Sequence, residues 1–131
     1  MAFRCVVVTP EQQTLDEKVS QVILPAHDGQ IGILSNRSPL LVELGIGSLR
    51  VDLAAGGQHT TYFVDGGFAQ MKDNVLTVLT QKAIPADKID AEAARTEYTE
   101  AEATKPTDAK GIEERQRKLT RARIKQQLAR R

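Results

Sequence analysis

Hydrophobic positions change their spacing along this chain at Pro85. Before it, short runs rich in Val, Ile, Leu, Phe and Thr alternate with turn clusters, the pattern of half-buried strands. Leu49, Val51 and Leu53 against Arg50 and Asp52 keep a period of two, which puts successive side chains on opposite faces of a sheet. Ala55-Gly56-Gly57-Gln58 and Lys72-Asp73-Asn74 predict tight turns, with Thr60–Val64 and Val75–Leu79 as the strands that follow. No βαβ rhythm is present. Many short strands with regular turns predict an all-β sandwich or flattened barrel over residues 1–84.

Residues 85–131 have a different character. Asp87 is placed to cap a helix over residues 88–103, with Asp90 adding negative charge to its first turn. Ala and Glu dominate that stretch, and both are strong helix formers. Thr104–Gly111 contains Pro106 and Gly111 and predicts a turn, and Glu113–Arg131, with neither residue, predicts a second helix. The tail is then an α-helical hairpin with little apolar glue. Its first helix offers Ile89, Ala93, Ala94, Tyr98 and Ala101. In its second, Ile112 and Leu119 share one stripe, while Ile124 and Leu128 fall on another side. Burying one Leu or Ile stabilises by only ~1.5–3 kcal/mol. A few such residues barely offset the entropy of ordering the rest. The hairpin is expected to be marginal alone and able to exchange its packing for another surface.

The densest information lies in Leu24–Val51. Two turn clusters, Ala26–Gly29 and Ser35–Pro39, interrupt β-rich apolar runs. Gly29 and Gly32 predict tight approach or positive φ, and Pro39 removes a backbone donor just before Leu40-Leu41-Val42. Ile31–Leu34 and Leu40–Leu44 are more apolar than loop flanks need. The pattern leaves them open as sandwich core or as an exposed patch for a partner.

Composition narrows the function. The 131 residues carry a net charge of +1, so bulk charge points to no polyanionic partner. Nine of the Lys and Arg residues lie within residues 109–131 against two acidic residues there. That end is strongly basic. The single cysteine, Cys5, excludes an internal disulfide and fits a reducing compartment. No signal peptide is evident, and no apolar run nears the ~20 residues of a membrane-spanning helix. The expectation is a soluble protein that meets a membrane only through partners.

Candidate chemistry is sparse. The phosphate-cradling G-x-x-x-x-G-K-[ST] pattern is absent, and Gly45-Ile46-Gly47 lacks the third glycine of a dinucleotide fingerprint. His27 and Asp28 have no third metal ligand nearby, and His59 sits in another turn. Cys5 alternates with Phe3 and Val7 and reads as a buried small hydrophobe without a base beside it. No catalytic residue, metal site or cofactor site is predicted. The basic run Arg115–Lys125 fits nucleic acid, an acidic protein surface, or a solvated face paired with Glu92, Glu97, Glu100 and Glu102. Charge alone favours the last, and the absence of a stacking aromatic argues against nucleic acid.

Four segments carry a family resemblance. Gly29-Gln30-Ile31-Gly32-Ile33-Leu34-Ser35-Asn36-Arg37-Ser38-Pro39-Leu40-Leu41, continued by the glycine-containing loop and strand Gly47-Ser48-Leu49-Arg50-Val51, resembles the signature of epsilon subunits of F-type rotary ATP synthases. Val8–Gln13 resembles that family's first strand and turn, Val64-Asp65-Gly66-Gly67-Phe68 its V/I-x-G-G-F step, and Asn74–Leu79 its N-x-V-T-V-L strand. The matches run in order from residue 6 to about residue 90.

The resemblance implies a sandwich of about ten strands followed by an antiparallel helix pair. It implies a non-catalytic central-stalk subunit at the cytoplasmic face of the bacterial inner membrane. The sandwich would bind the gamma subunit and the ring of c subunits, the latter through Gln30 and the turn Ser35, Asn36, Arg37 and Ser38. The helical tail would reach the alpha and beta subunits and restrain ATP hydrolysis, with Arg115, Lys118, Arg121, Arg123 and Lys125 as its basic contacts. Some relatives bind ATP through I/L-D-x-x-R-A. Ile89 and Asp90 match its start, but Ala93 stands where the arginine belongs, so tight ATP binding is not expected. Outside the resemblance, the alternatives are a free-standing nucleotide-sensing regulatory domain and a nucleic-acid-binding domain with a basic helical arm.

Overall fold

The computed structural model describes residues 2–26 and 29–129, and the chain divides into two compact units, Met1–Pro85 and Ala86–Arg131. His27 and Asp28, the pair weighed as metal ligands, lie outside the described residues. Among the described residues there is no group of three or more His, Cys, Asp or Glu that could hold a metal ion, and no helix long and apolar enough to cross a membrane.

The first unit is built from β1 (Phe3–Val8), β2 (Gln13–Ala26), β3 (Gly29–Leu34), β4 (Leu40–Leu53), β5 (His59–Lys72), β6 (Val75–Leu79) and β7 (Ala83–Pro85). The neighbours run β1-β6-β5-β4-β2-β3, and β1 also pairs with β2, so the sheet closes on itself. Pairings are antiparallel except β1 with β6, and β7 adds to β5. β2, β4 and β5 are each 14 residues long. They are long enough to bend, and the unit has seven strands where about ten were expected, because these three run on without a break.

The bends have local causes. Gly66 and Gly67 adopt positive φ of 71° and 109°, and a Cβ on Gly67 would run into the Leu79 carbonyl. Only glycine permits that crossing of β5 and β6. The β4–β5 partner series skips the level where Gly45 opposes Gly66. The glycine-containing loop expected at Gly47 is absent: Gly47 lies inside β4, where a Cβ would stand 2.7 Å from Pro25 Cβ. There β2 changes register, advancing from Ile23 to Ala26 while β4 covers Arg50 to Leu44.

Alternation settles the core. Phe3, Cys5 and Val7 point inward from β1, as do Val42, Leu44, Leu49 and Val51 from β4. The two ambiguous runs divide: Ile33, Val42 and Leu44 are buried, whereas Leu34 and Leu41 are exposed at 58% and 68%.

The second unit is a 3-10 turn, Ala86–Lys88, then α1 (Ala91–Ala103) and α2 (Ala109–Ala129). The first helix starts later than the sequence pattern predicts. Asp90, not Asp87, is the N-cap, accepting from the backbone N–H of Glu92 at 2.9 Å and of Ala93 at 3.2 Å. Gly111 is likewise inside α2 rather than in the turn, its N–H donating to Asp108 Oδ1 at 2.7 Å. In both places an aspartate two or three residues upstream satisfies the first-turn donors, and that fixes the start.

Candidate docking surfaces

The β unit presents an outward row on one level of four neighbouring strands. Register places Glu43 of β4 beside Phe68 of β5, Phe68 beside Leu79 of β6, and Leu79 beside Val8 of β1. Phe68 is 53% exposed and Leu79 is 52% exposed. They border an open cleft of about 340 Å³ together with Val8, Thr9, Pro10, Thr80 and Gln81. One row along the same strands, the outward residues become Leu41, Gln70, Thr77 and Val6. Two large half-exposed side chains packed side by side form a patch suited to a protein partner. Sequence reasoning misses this pair, because the run Val75–Leu79 is apolar on both faces and hides its own alternation. The signal lies in parity: with Ala69, Met71, Leu76 and Val78 inward, Phe68 and Leu79 must point out.

The candidate loop residues lie elsewhere on this unit. Gln30 is exposed near the start of β3, paired with Pro25 of β2. Ser35 to Ser38 follow the other end of β3, with Asn36, Arg37 and Ser38 exposed. Five residues of strand separate Gln30 from Ser35, about 16 Å at ~3.3 Å each. A partner touching both must lie along the β3 edge. The turn 35–39 carries the chain from β3, on β2, to the start of β4 at the end of β5. Asn36 at its centre has φ of 60°, and its backbone N–H donates to Asn74 Oδ1 at 2.8 Å.

Most of the basic residues of α2 have distinct surroundings within the hairpin. Arg115 donates from Nε to the Thr104 carbonyl at 3.1 Å and from Nη2 to the Glu102 carbonyl at 3.0 Å. It thereby caps the end of α1, where unpaired carbonyls carry the helix's negative pole. Lys125 Nζ reaches Glu97 Oε2 at 3.3 Å, so part of the expected acidic pairing is formed. Arg121 is half-buried, and Lys118 and Arg123 are exposed. Five residues at ~100° each put Lys118 and Arg123 about 140° apart round the helix, so one flat surface cannot meet both.

The remnant of the ATP motif is occupied by structure. Asp90 spends its carboxylate on the α1 cap, Ile89 is half-buried, and Ala93 is exposed where a phosphate-binding arginine would stand. Cys5 is fully buried, and burial pushes its thiol up to about 12, which disfavours the thiolate. On the outside of β1, Arg4 forms a two-pronged ion pair with Asp16 of β2 at 2.7 and 2.6 Å, and that hydrogen bonding holds the Asp16 carboxyl below its ordinary range.

Comparison with known proteins gives a consistent result. The family model for the ATP synthase delta/epsilon chain β-sandwich domain matches residues 2–86. An ATP synthase epsilon chain from Rhodopirellula baltica is 46% identical over 101 residues, covering 77% of this chain and 77% of the relative. One from a Synechococcus species is 38% identical over 119 residues, covering 91% and 85%. Among solved structures, a chain of the Euglena gracilis mitochondrial ATP synthase OSCP/F1/c-ring assembly matches with a TM-score of 0.75 at 26% identity, over 92% of this chain and 72% of that one.

Proposed function

This chain belongs to the ATP synthase delta/epsilon chain family, and from that premise we propose that its apolar row docks the gamma subunit while its β3 edge faces the ring of c subunits. It is a non-catalytic central-stalk subunit of the synthase, associated peripherally with the membrane-bound complex. The work of such a subunit is mechanical: it couples ring rotation to the catalytic head by staying attached and stiff.

The observation that carries the docking assignment is the side-by-side exposure of Phe68 and Leu79 on the outer face of an otherwise closed sheet. The closed β1-β6-β5-β4-β2 circuit leaves few groups able to shear, which suits torque transmission. The exposed polar residues Gln30, Asn36, Arg37 and Ser38 suit contact with the polar loops of a ring. The hairpin supports a regulatory role: α2 is basic and its burial is slight, so it can leave its partner helix for an acidic surface of the alpha and beta subunits and restrain hydrolysis. The site of action is the cytoplasmic face of a bacterial inner membrane.

Tagged chain recovered from native membranes tests the assignment. Gamma and c subunits are expected among the recovered proteins. Replacing Phe68 and Leu79 together with Thr should lower the recovery of gamma, and recovery undiminished by that double change rejects the apolar row as its dock.

A further inference from the structure

The turn that offers Asn36, Arg37 and Ser38 to solvent is held at one point by a residue outside it. Asn74 sits in the two-residue turn between β5 and β6, closed by the pair Lys72 and Val75. Asp73 and Asn74 have positive φ of 52° and 61°, the backbone of a primed hairpin turn. From there the Asn74 side chain reaches two other segments. Oδ1 accepts from the Asn36 N–H at 2.8 Å, and Nδ2 donates to the Ala2 carbonyl at 3.2 Å. Its own carbonyl accepts from the Arg4 N–H at 3.2 Å. Three segments far apart in sequence therefore meet at one residue.

The chemistry selects asparagine. The position needs a residue that tolerates left-handed backbone, and an amide that accepts on one atom and donates on the other. Glycine meets the first need only. Aspartate can accept from Asn36 but cannot donate to Ala2. Reversing the amide would set donor against donor at Asn36 and acceptor against acceptor at Ala2, so the network fixes its orientation.

We propose that Asn74 is the positioning residue of the rotor-ring contact: it clamps the 35–38 turn at the Asn36 amide and so sets where Arg37 and Ser38 stand. This rests on the reading that the turn faces the ring. The turn is exposed from Asn36 through Pro39, and the Asn74 bond falls at its left-handed centre. A bond at that point ties the backbone of the turn to the rigid β5–β6 hairpin. Asn74 acts on the ring through Asn36 and has no contact with the ring of its own in this account.

Two variants separate this from a plain turn residue. Asn74→Gly keeps the left-handed backbone and removes the clamp, while Asn74→Asp keeps the acceptor for Asn36. In the isolated protein, amide hydrogen exchange at Asn36 should speed about fivefold in Asn74→Gly, the worth of one hydrogen bond, and stay near wild type in Asn74→Asp. Unaltered exchange in Asn74→Gly overturns the clamp. In the assembled synthase, Arg37→Cys in a Cys5→Ala background should cross-link to subunit c. The yield should fall severalfold with Asn74→Gly and recover with Asn74→Asp. Equal yields in all three overturn the positioning role. If Arg37→Cys fails to cross-link even with Asn74 in place, the ring-facing reading is what fails, and the positioning role falls with it, while the exchange result still decides whether the clamp exists.

Discussion

Replacing Phe68 and Leu79 together with Thr should detach the β unit from gamma without unfolding it. Full burial of a Phe or Leu side chain is worth ~1.5–3 kcal/mol. Phe68 and Leu79 stand 53% and 52% exposed, so about half of that remains to be realised on docking, roughly 1 kcal/mol each. The double variant should weaken binding by about 2 kcal/mol, or ~30-fold in Kd. The half already buried within the fold is lost as well, lowering stability by a similar amount, while Thr suits strand backbone. The assay is titration of purified chain against the catalytic head that retains gamma, with a circular-dichroism melt on the same samples. Gln58→Ala, at the exposed β4–β5 turn, serves as control and should leave Kd unchanged. A folded double variant that binds as tightly as wild type would refute the argument, because two half-exposed anchors at a real interface cannot both be silent.

Other outcomes follow from the same structure. A chain ending at Ala86 should show a β spectrum and a cooperative melt, because the described core cluster lies wholly within residues 3–78; loss of the melt would show that the hairpin supplies essential core. Burial lifts the Cys5 thiol to about 12, so the folded protein keeps a proton that the unfolded chain releases above its ordinary ~8.5. Stability from this group is therefore complete below ~8.5 and falls by about 1.4 kcal/mol per pH unit as pH rises towards the folded value. Urea midpoints at pH 8 and 10 should converge in Cys5→Ala relative to wild type, and an identical alkaline loss in both would refute the assignment. Replacing Arg115, Lys118, Arg121, Arg123 and Lys125 together with Ala, or ending the chain at residue 110, should raise ATP hydrolysis by the assembled complex, more at low salt than at high. Unchanged hydrolysis in both at low salt leaves the basic helix a solvated structural element.

The β unit is readable from spacing because a half-buried strand writes its period of two directly into the chain. Leu49, Val51 and Leu53, and Phe3, Cys5 and Val7, show this plainly. What spacing does not record is the partner of each strand. The β1–β2 hairpin is local, but the parallel β1–β6 pair that closes the sheet joins residues more than sixty positions apart, and no local pattern states it. The helix starts differ from the sequence expectation by three or four residues because several aspartates compete as caps. Asp87, Asp90 and Asp108 are chemically alike, and only the fold decides which carboxylate meets free N–H groups. Gly47 reads as a loop residue in sequence since glycine breaks strands on average; here it makes room for Pro25 inside one. Of the candidate site, the turn 35–38 is legible as a loop, but its anchor is not. Asn74 stands out in the sequence as a turn residue and as part of a strand motif, and nothing local says that its amide reaches Asn36, 38 positions away.

The two units differ in how they are held together, and that difference matches two kinds of work. The β unit buries Phe, Leu, Ile, Val and Met side chains from six of its strands on a closed hydrogen-bond circuit. Such a body opens only when many side chains are exposed together, as a part that transmits force must. In α1 and α2 the buried residues among those described are Ala94, Ala101, Ala122 and Leu128. An alanine buries little more than one methyl group, worth ~0.8 kcal/mol. Further ties include half-buried Tyr98, Leu119 and Ile124, Arg115 on two carbonyls, and Lys125 on Glu97. A competing acidic surface that drew α2 away would have to replace these ties. The same arginine and lysine that close the hairpin would supply part of that attraction, so every bond they make to an outside surface is one they give up within the hairpin. That exchange is what the regulatory role proposed for the hairpin requires.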